Sequence, residues 1–186
     1  MMWYSKEDDW RISFNKCKPY IKKFNTALDV GARAGEFAYY LKPFKTVHSF
    51  EFRGTEAMQK RYFKRCQNTK KYQFYQVGIS DQNGYEYTTK LTVGRIKGRG
   101  FVKVPVRTID SYNFKSVDFI KLDVEGHEYK CVVGAENTIK KFNPVIIIEQ
   151  NKNDFTGSDL LKKWGYVIVD TFDIENKPHD YIMVKK

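Results

Sequence analysis

The chain has 186 residues, with 33 Lys and Arg against 22 Asp and Glu for a net charge of +11; 41% of residues are hydrophobic, 16% aromatic and 30% charged. These proportions exclude wholesale disorder, and the length suits one domain over residues 1–186, large enough to bury a core without disulfides or a structural metal. The charge favours solubility and attraction to anions, but 25 of the cations are Lys and only 8 are Arg, which reads as solvated surface rather than a dedicated phosphate reader.

Residues 1–25, aromatic and mixed in charge, read as an N-terminal leader helix or extension. Residues 26–31 are a short apolar run that stops at Gly31, as a buried parallel strand does. A helix is expected over 35–41, stopped by Pro43, and a second strand over 47–52. Ala57, Met58, Tyr62 and Phe63 recur at helical spacing within 55–66, which predicts an amphipathic helix. A third strand fits 72–77, followed by turn chemistry over 80–84 that ends in the pair Asn83-Gly84.

Residues 85–93 and 101–106 alternate as the strands of an inserted β-hairpin around a glycine-rich, basic tip over 94–100. Arg95, Lys97 and Arg99 on that tip read first as a solvated turn and second as a mobile lid over an anionic substrate. Two more buried strands, 117–123 and 144–149, each end in a carboxylate and flank a helix over 127–142. A helix over 158–164 and strands over 166–172 and 179–184 close the chain. The last two strands are too near one another for a parallel crossover, so they should be antiparallel. Alternating strands and helices predict a three-layer α/β sandwich around a mostly parallel sheet.

Cys17, Cys66 and Cys131 are odd in number and far apart, with no CxxC pair, which fits a reducing, cytoplasmic compartment. No run approaches the ~20 apolar residues of a membrane span. The acidic start, Lys6-Glu7-Asp8-Asp9, is unlike the basic-then-apolar start of a signal peptide. No membrane partner is expected.

In open α/β sheets, ligands bind beyond the carboxyl ends of the strands. Those ends carry a pattern: Asp29-Val30-Gly31-Ala32-Arg33-Ala34-Gly35, then Glu51, then Asp123-Val124-Glu125-Gly126, then Glu149-Gln150-Asn151. Gly31 and Gly35 permit a sharp turn and close approach to a ligand, and Glu51, twenty positions after Gly31, suits the hydroxyls of a ribose. Arg33 replaces the second glycine of a dinucleotide fingerprint. S-adenosylmethionine fits better, with its ribose at Glu51, its adenine near Gly78, Ile79, Ser80 and Asp81, and its ammonium at Asp29. A glycine pair after a strand also occurs in nucleotide-free α/β proteins. The weight therefore rests on acids recurring at four strand ends, since a carboxylate beside a parallel sheet is costly without a partner or solvent.

The stretches Leu28-Asp29-Val30-Gly31-Ala32-Arg33-Ala34-Gly35, Val106-Arg107-Thr108-Ile109-Asp110, Val117-Asp118-Phe119-Ile120-Lys121-Leu122-Asp123-Val124-Glu125-Gly126-His127-Glu128 and Pro144-Val145-Ile146-Ile147-Ile148-Glu149 resemble the FkbM-type S-adenosylmethionine-dependent methyltransferases. The resemblance runs over residues 26–150, the third stretch being the most specific; Arg33 departs from the uncharged residue usual there, and the chain is short for the family. It implies a Rossmann-like methyltransferase sheet with an antiparallel last strand. It also assigns Asp29, Gly31 and Gly35 to the methionine side, Glu51 to the ribose, and Asp123 and Glu125 to the border of the transferred methyl, with Ala32 between the glycines counted among the cofactor-binding residues.

Such a chain would methylate a hydroxyl of a sugar, glycan or small molecule, with Asp123 as candidate base and Glu125 and Glu149 beside it. In a less favoured version Asp123, Glu149 and an amide of Gln150 or Asn151 hold Mg²⁺, which acidifies the hydroxyl; no metal residue is assigned. Alternative functions are methylation of an RNA ribose 2′-hydroxyl, with Lys121 joining Asp123 and Glu149, and a catalytically silent cofactor-binding module. His127 reads as a capping or solvent-facing residue and Lys121 as a snorkelling or paired one. A monomer or homodimer is expected.

Overall fold

The computed structural model describes residues 6–67, 70–88, 102–150, 154–174 and 177–186. Helix α1 (Lys6–Cys17) leads into β1 (Thr26–Val30), β2 (Thr46–Phe50), α2 (Glu56–Cys66) and β3 (Tyr72–Tyr75). Three strands form a separate ribbon: β4 (Gly78–Ile79), β5 (Gly84–Thr88) and β6 (Val102–Arg107). The chain then runs through β7 (Phe119–Leu122), α3 (Glu128–Val133), α4 (Glu136–Phe142), β8 (Val145–Glu149), α5 (Thr156–Lys163), β9 (Tyr166–Ile174) and β10 (Lys177–Lys185).

The main sheet has the order β3-β2-β1-β7-β8-β10-β9. Its first five strands are parallel, and β10 pairs antiparallel with both β8 and β9, as the sequence predicts for the final pair. The order reverses between β1 and β7, so a crevice opens there at the carboxyl edge.

Strand periodicity distributes the core over both faces. Leu28, Val30, Ile120, Leu122, Ile146 and Ile148 pack toward Cys131, Val132, Ile139 and Leu161 of α3, α4 and α5. Ala27, Phe119, Val145 and Ile147 face Phe14 and Cys17 of α1 and Tyr62 and Cys66 of α2. Asp29 and Lys121 fall on this second face by the same alternation, and register sets them side by side.

Helix α2 starts at Thr55, whose hydroxyl accepts the Met58 N–H, and stops at Gln67 in the left-handed conformation, with Lys64 and Arg65 in the last turn. Its buried Tyr62 donates its hydroxyl proton to Ser49 Oγ at 2.8 Å, and its ring passes where a Cβ on Gly35 would be, 2.7 Å away.

Three expectations need correction. The helix expected over 35–41 is only a 3-10 turn at Ala38–Leu41, because left-handed residues at Gly31, Arg33 and Gly35 occupy the preceding chain. The helix expected over 127–142 breaks at Gly134 and Ala135, where a Cβ on Gly134 would stand 2.0 Å from the Ser80 carbonyl oxygen. The expected hairpin exists as antiparallel β5 and β6, but β6 also pairs parallel with β4. Its tip, with Arg95, Lys97 and Arg99, lies outside the described residues.

The N-terminal segment holds helix α1, which packs into the core. Phe14 and Cys17 are buried in the core, and Lys16 binds the side chain of Asp170 at 3.0 Å.

Candidate functional site

The loop after β1 is drawn over the sheet edge by two hydrogen bonds, from the Gly31 and Ala32 N–H groups to the Phe50 carbonyl at 2.9 and 3.1 Å. Gly31 takes φ +82°, and a Cβ there would meet the Asp123 carbonyl oxygen at 1.8 Å. Glycine therefore lets the ends of β1 and β7 touch. Arg33, at φ 47°, is left-handed without being glycine.

Glu51 fixes that loop. Its Oε2 accepts the Arg33 N–H at 3.1 Å and its Oε1 the Arg53 N–H at 2.8 Å, with the residue only 5% exposed. Each carboxylate oxygen still has acceptor capacity after one bond, so the acid can hold its own loop and also take a ligand hydroxyl.

Beneath the loop lies a buried ion cluster. Lys121 Nζ is 3.4 Å from Asp29 Oδ1 and 3.2 Å from Asp123 Oδ2, and donates to the Gly31 carbonyl at 2.9 Å. Burial alone would depress the Lys121 pKa; Asp123 and Asp29 more than reverse this and hold it above the usual lysine value. Asp29 is fully buried, on the helix-covered face of β1.

The loop after β7 is shaped by Glu128, for which the sequence predicts no role. Its Oε1 accepts the N–H groups of Val124 and Gly126 at 2.9 and 3.2 Å, closing a turn in which Glu125 and Gly126 have φ 59° and 95°. His127, read from sequence as a cap or solvent-facing residue, makes no side-chain cap. Its Nε2 instead lies 3.1 Å from Ser80 Oγ and 3.5 Å from Glu86 Oε2. Ser80 also donates to Glu86, and Lys130 binds Glu86 Oε1 at 3.2 Å. Burial alone would raise Glu86, but bonds from Ser80 and Lys130 outweigh it and hold the carboxyl below the usual range.

At the end of β8, Glu149 faces β10. Its Oε1 is 3.5 Å from His179 Nε2, while His179 Nδ1 is 2.7 Å from Asp180 Oδ1. Burial, then the charges of Asp123 and Glu128, push Glu149 up to about 8. The Asp180 hydrogen bond holds His179 above its ordinary value.

A cavity of about 440 Å³ occupies the crevice, within the size range of small-molecule sites. Gly31, Glu51, Gly78, Ile79, Asp123 and Glu125 line it, so six of the residues singled out in the sequence converge. Asp29, Ala32, Gly35, Ser80 and Glu149 are not among its lining residues; the first three support the loop, Ser80 orders Glu86, and Glu149 faces His179 while feeling the charge of Asp123. Glu86, His127 and Lys130 complete one wall. Among the described residues no group of three or more His, Cys, Asp or Glu is arranged to hold a metal ion, and Asn151 lies outside the described residues.

Solved structures share this architecture. An FkbM methyltransferase from Methylobacillus flagellatus superposes with a TM-score of 0.65 at 19% identity, over 86% of this chain and 43% of that one. This chain thus spans less than half the length of that protein. An rRNA methylase from Streptococcus thermophilus (TM-score 0.58, 9% identity, 100% and 99% covered) and Aeropyrum pernix fibrillarin with natively bound S-adenosyl-L-methionine (0.57, 12%, 96% and 76%) have the same fold. A comparison with curated proteins gives no match.

The fold is therefore the Rossmann-like α/β fold of methyltransferases, with its cavity at the switch point. The family model of the methyltransferase FkbM domain matches residues 29–171. The chain belongs to the FkbM family of S-adenosylmethionine-dependent methyltransferases.

Proposed function

We propose that the chain transfers the methyl group of S-adenosylmethionine to a hydroxyl oxygen of a sugar, glycan or small molecule. The observation that carries this is the convergence of Gly31, Glu51 and Asp123 from three strand ends, with Gly78 and Ile79 of β4, on one cavity. The residues present fit the cofactor. Ile79, Val77 and Val106 give an apolar wall for adenine, Glu51 retains acceptor capacity for the ribose, and Asp123 and Glu125 supply negative charge for a cation. When bound, the cofactor supplies an electrophilic methyl on a sulfonium.

The chain's own task is mainly alignment, worth up to roughly 7–11 kcal/mol in well-oriented reactions. Asp123 is the candidate acceptor of the hydroxyl proton, because it lines the cavity while Lys121 steadies it from behind. The ribose-methylating alternative draws on a lysine in the site. The Lys121 ammonium pairs with Asp123, but it is 4% exposed, is held as well by Asp29 and the Gly31 carbonyl, and does not line the cavity, so no specific observation favours an RNA acceptor. Three free, buried cysteines suit a cytoplasmic enzyme, and no helix among the described residues is long and apolar enough to cross a membrane.

Calorimetric titration with S-adenosylhomocysteine should give saturable one-site binding that Glu51→Ala weakens at least tenfold. Methyl transfer from labelled cofactor to a panel of sugars, glycans, metabolites and RNAs then identifies the acceptor. A folded protein that fails to bind S-adenosylhomocysteine refutes the proposal.

A further inference from the structure

Three oxygens from two strand ends meet at one buried cation. Lys121 Nζ reaches the Gly31 carbonyl, Asp123 Oδ2 and Asp29 Oδ1 within 3.4 Å. Two aromatic rings complete its shell, Trp10 of α1 at 5.4 Å and Phe37 at 5.9 Å from the ammonium to their centroids, within cation–π range. A buried ion cluster is a poor source of stability by itself, since desolvation consumes most of the Coulomb attraction. This cluster joins two groups that line the cavity, Gly31 and Asp123, to one that does not, Asp29.

We propose that Lys121 is a positioning residue for the amino-acid end of the cofactor. From beneath the sheet edge it fixes the Gly31 carbonyl and the Asp123 carboxylate in one arrangement, with Asp29 as its buried counter-charge. The inference rests on the S-adenosylmethionine reading. It assigns the fully buried Asp29 a place behind the site rather than contact with the cofactor's ammonium.

The nucleoside side of the cavity is built by other residues, Glu51 and the segment Gly78-Ile79. Loss of Lys121 should therefore split affinity between the two halves of the ligand, whereas a general packing defect weakens both.

The test uses the full chain and two probes: S-adenosylhomocysteine, and 5′-methylthioadenosine, which has the nucleoside and sulfur without the amino-acid end. In Lys121→Met/Asp29→Asn the two fully enclosed charges leave together, and Asp123, whose side chain is 17% exposed and lines the cavity, keeps access to solvent. The expected result is a folded protein with S-adenosylhomocysteine bound at least tenfold more weakly and methylthioadenosine within threefold of wild type. Lys121→Gln/Asp29→Asn, which keeps polar groups in place of the pair, should give the same split if the first variant does not fold. Unchanged affinity for S-adenosylhomocysteine, equal weakening of both probes, or failure of both variants to fold overturns the inference. A folded wild-type chain that binds neither probe removes the cofactor reading itself, a result distinguishable from all of these.

Discussion

The N–H of Arg33 donates to Glu51 Oε2 at 3.1 Å, so the acid that ends one strand holds the loop that leaves its neighbour. Replacing Glu51 by Gln keeps the shape but sets an amide NH₂ against the N–H of either Arg33 or Arg53. A buried donor left without an acceptor costs about 1–3 kcal/mol. Glu51→Gln should lower the melting temperature and weaken S-adenosylhomocysteine at least tenfold by calorimetry; wild-type affinity would contradict the role given to this acid.

Arg33 has φ 47° without being glycine, and that region costs a side-chain-bearing residue about 1–2 kcal/mol. Glycine removes the strain but loses about 0.5–1 kcal/mol through its freer unfolded chain. Arg33→Gly is therefore expected to stabilise by about 0.5 kcal/mol, and Arg33→Val, β-branched in the same conformation, to destabilise by about 1–2 kcal/mol. Urea melts of the two variants should shift in opposite directions.

A Cβ at Gly31 would stand 1.8 Å from the Asp123 carbonyl oxygen, and one at Gly134 2.0 Å from that of Ser80. Both neighbours are backbone and cannot swing aside. Gly31 adds a φ of +82°, whereas Gly134 has an ordinary φ of −71°. Gly31→Ala should cost about 3–5 kcal/mol and Gly134→Ala about 2–3 kcal/mol. Chemical denaturation ranks them, and the reverse order would discount the conformational contribution.

Glu149 is pushed up to about 8 from 4.5 by burial and by the charges of Asp123 and Glu128. The proton is held more tightly in the folded chain, so its stabilisation is complete below the unfolded value and is lost as pH rises from about 4.5 through about 8. Each pKa unit is worth about 1.4 kcal/mol, and screening by solvent together with sharing of charge with Asp123 reduces the total to about 1–3 kcal/mol. Glu149→Gln should be near neutral at pH 5 and stabilising above pH 8 in denaturant titrations at the two pH values. Equal shifts at both would mean that Glu149 is ionised throughout.

Much of the frame was legible because continuous apolar runs ending in acids mark buried parallel strands, and Ile146 and Leu122 behave as such residues should. The spacing of Gly31 and Glu51 likewise located two residues that line one cavity. Asp29 stands near a strand end, yet the strand's alternation turns it to the helix-covered face beside Lys121, a placement that its position in the sequence alone does not show. His127 and Glu86 were obscure for a different reason: they meet directly and through Ser80, in a long-range contact without local periodicity. The break at Gly134 has the same origin, in the carbonyl of a residue 54 positions earlier.

Strand β10 lies between β8 and β9, beyond the last residue of the family match, and α1 lies wholly before its first. A fragment trimmed to residues 29–171 would thus lose an interior rung of the main sheet, stranding its outermost member. It would also strip away Phe14 and Cys17, which are 1% and 0% exposed in the intact chain, and the indole over Lys121. Expression boundaries for this molecule are set by what the two tails cover, outside the stretch that the family match spans.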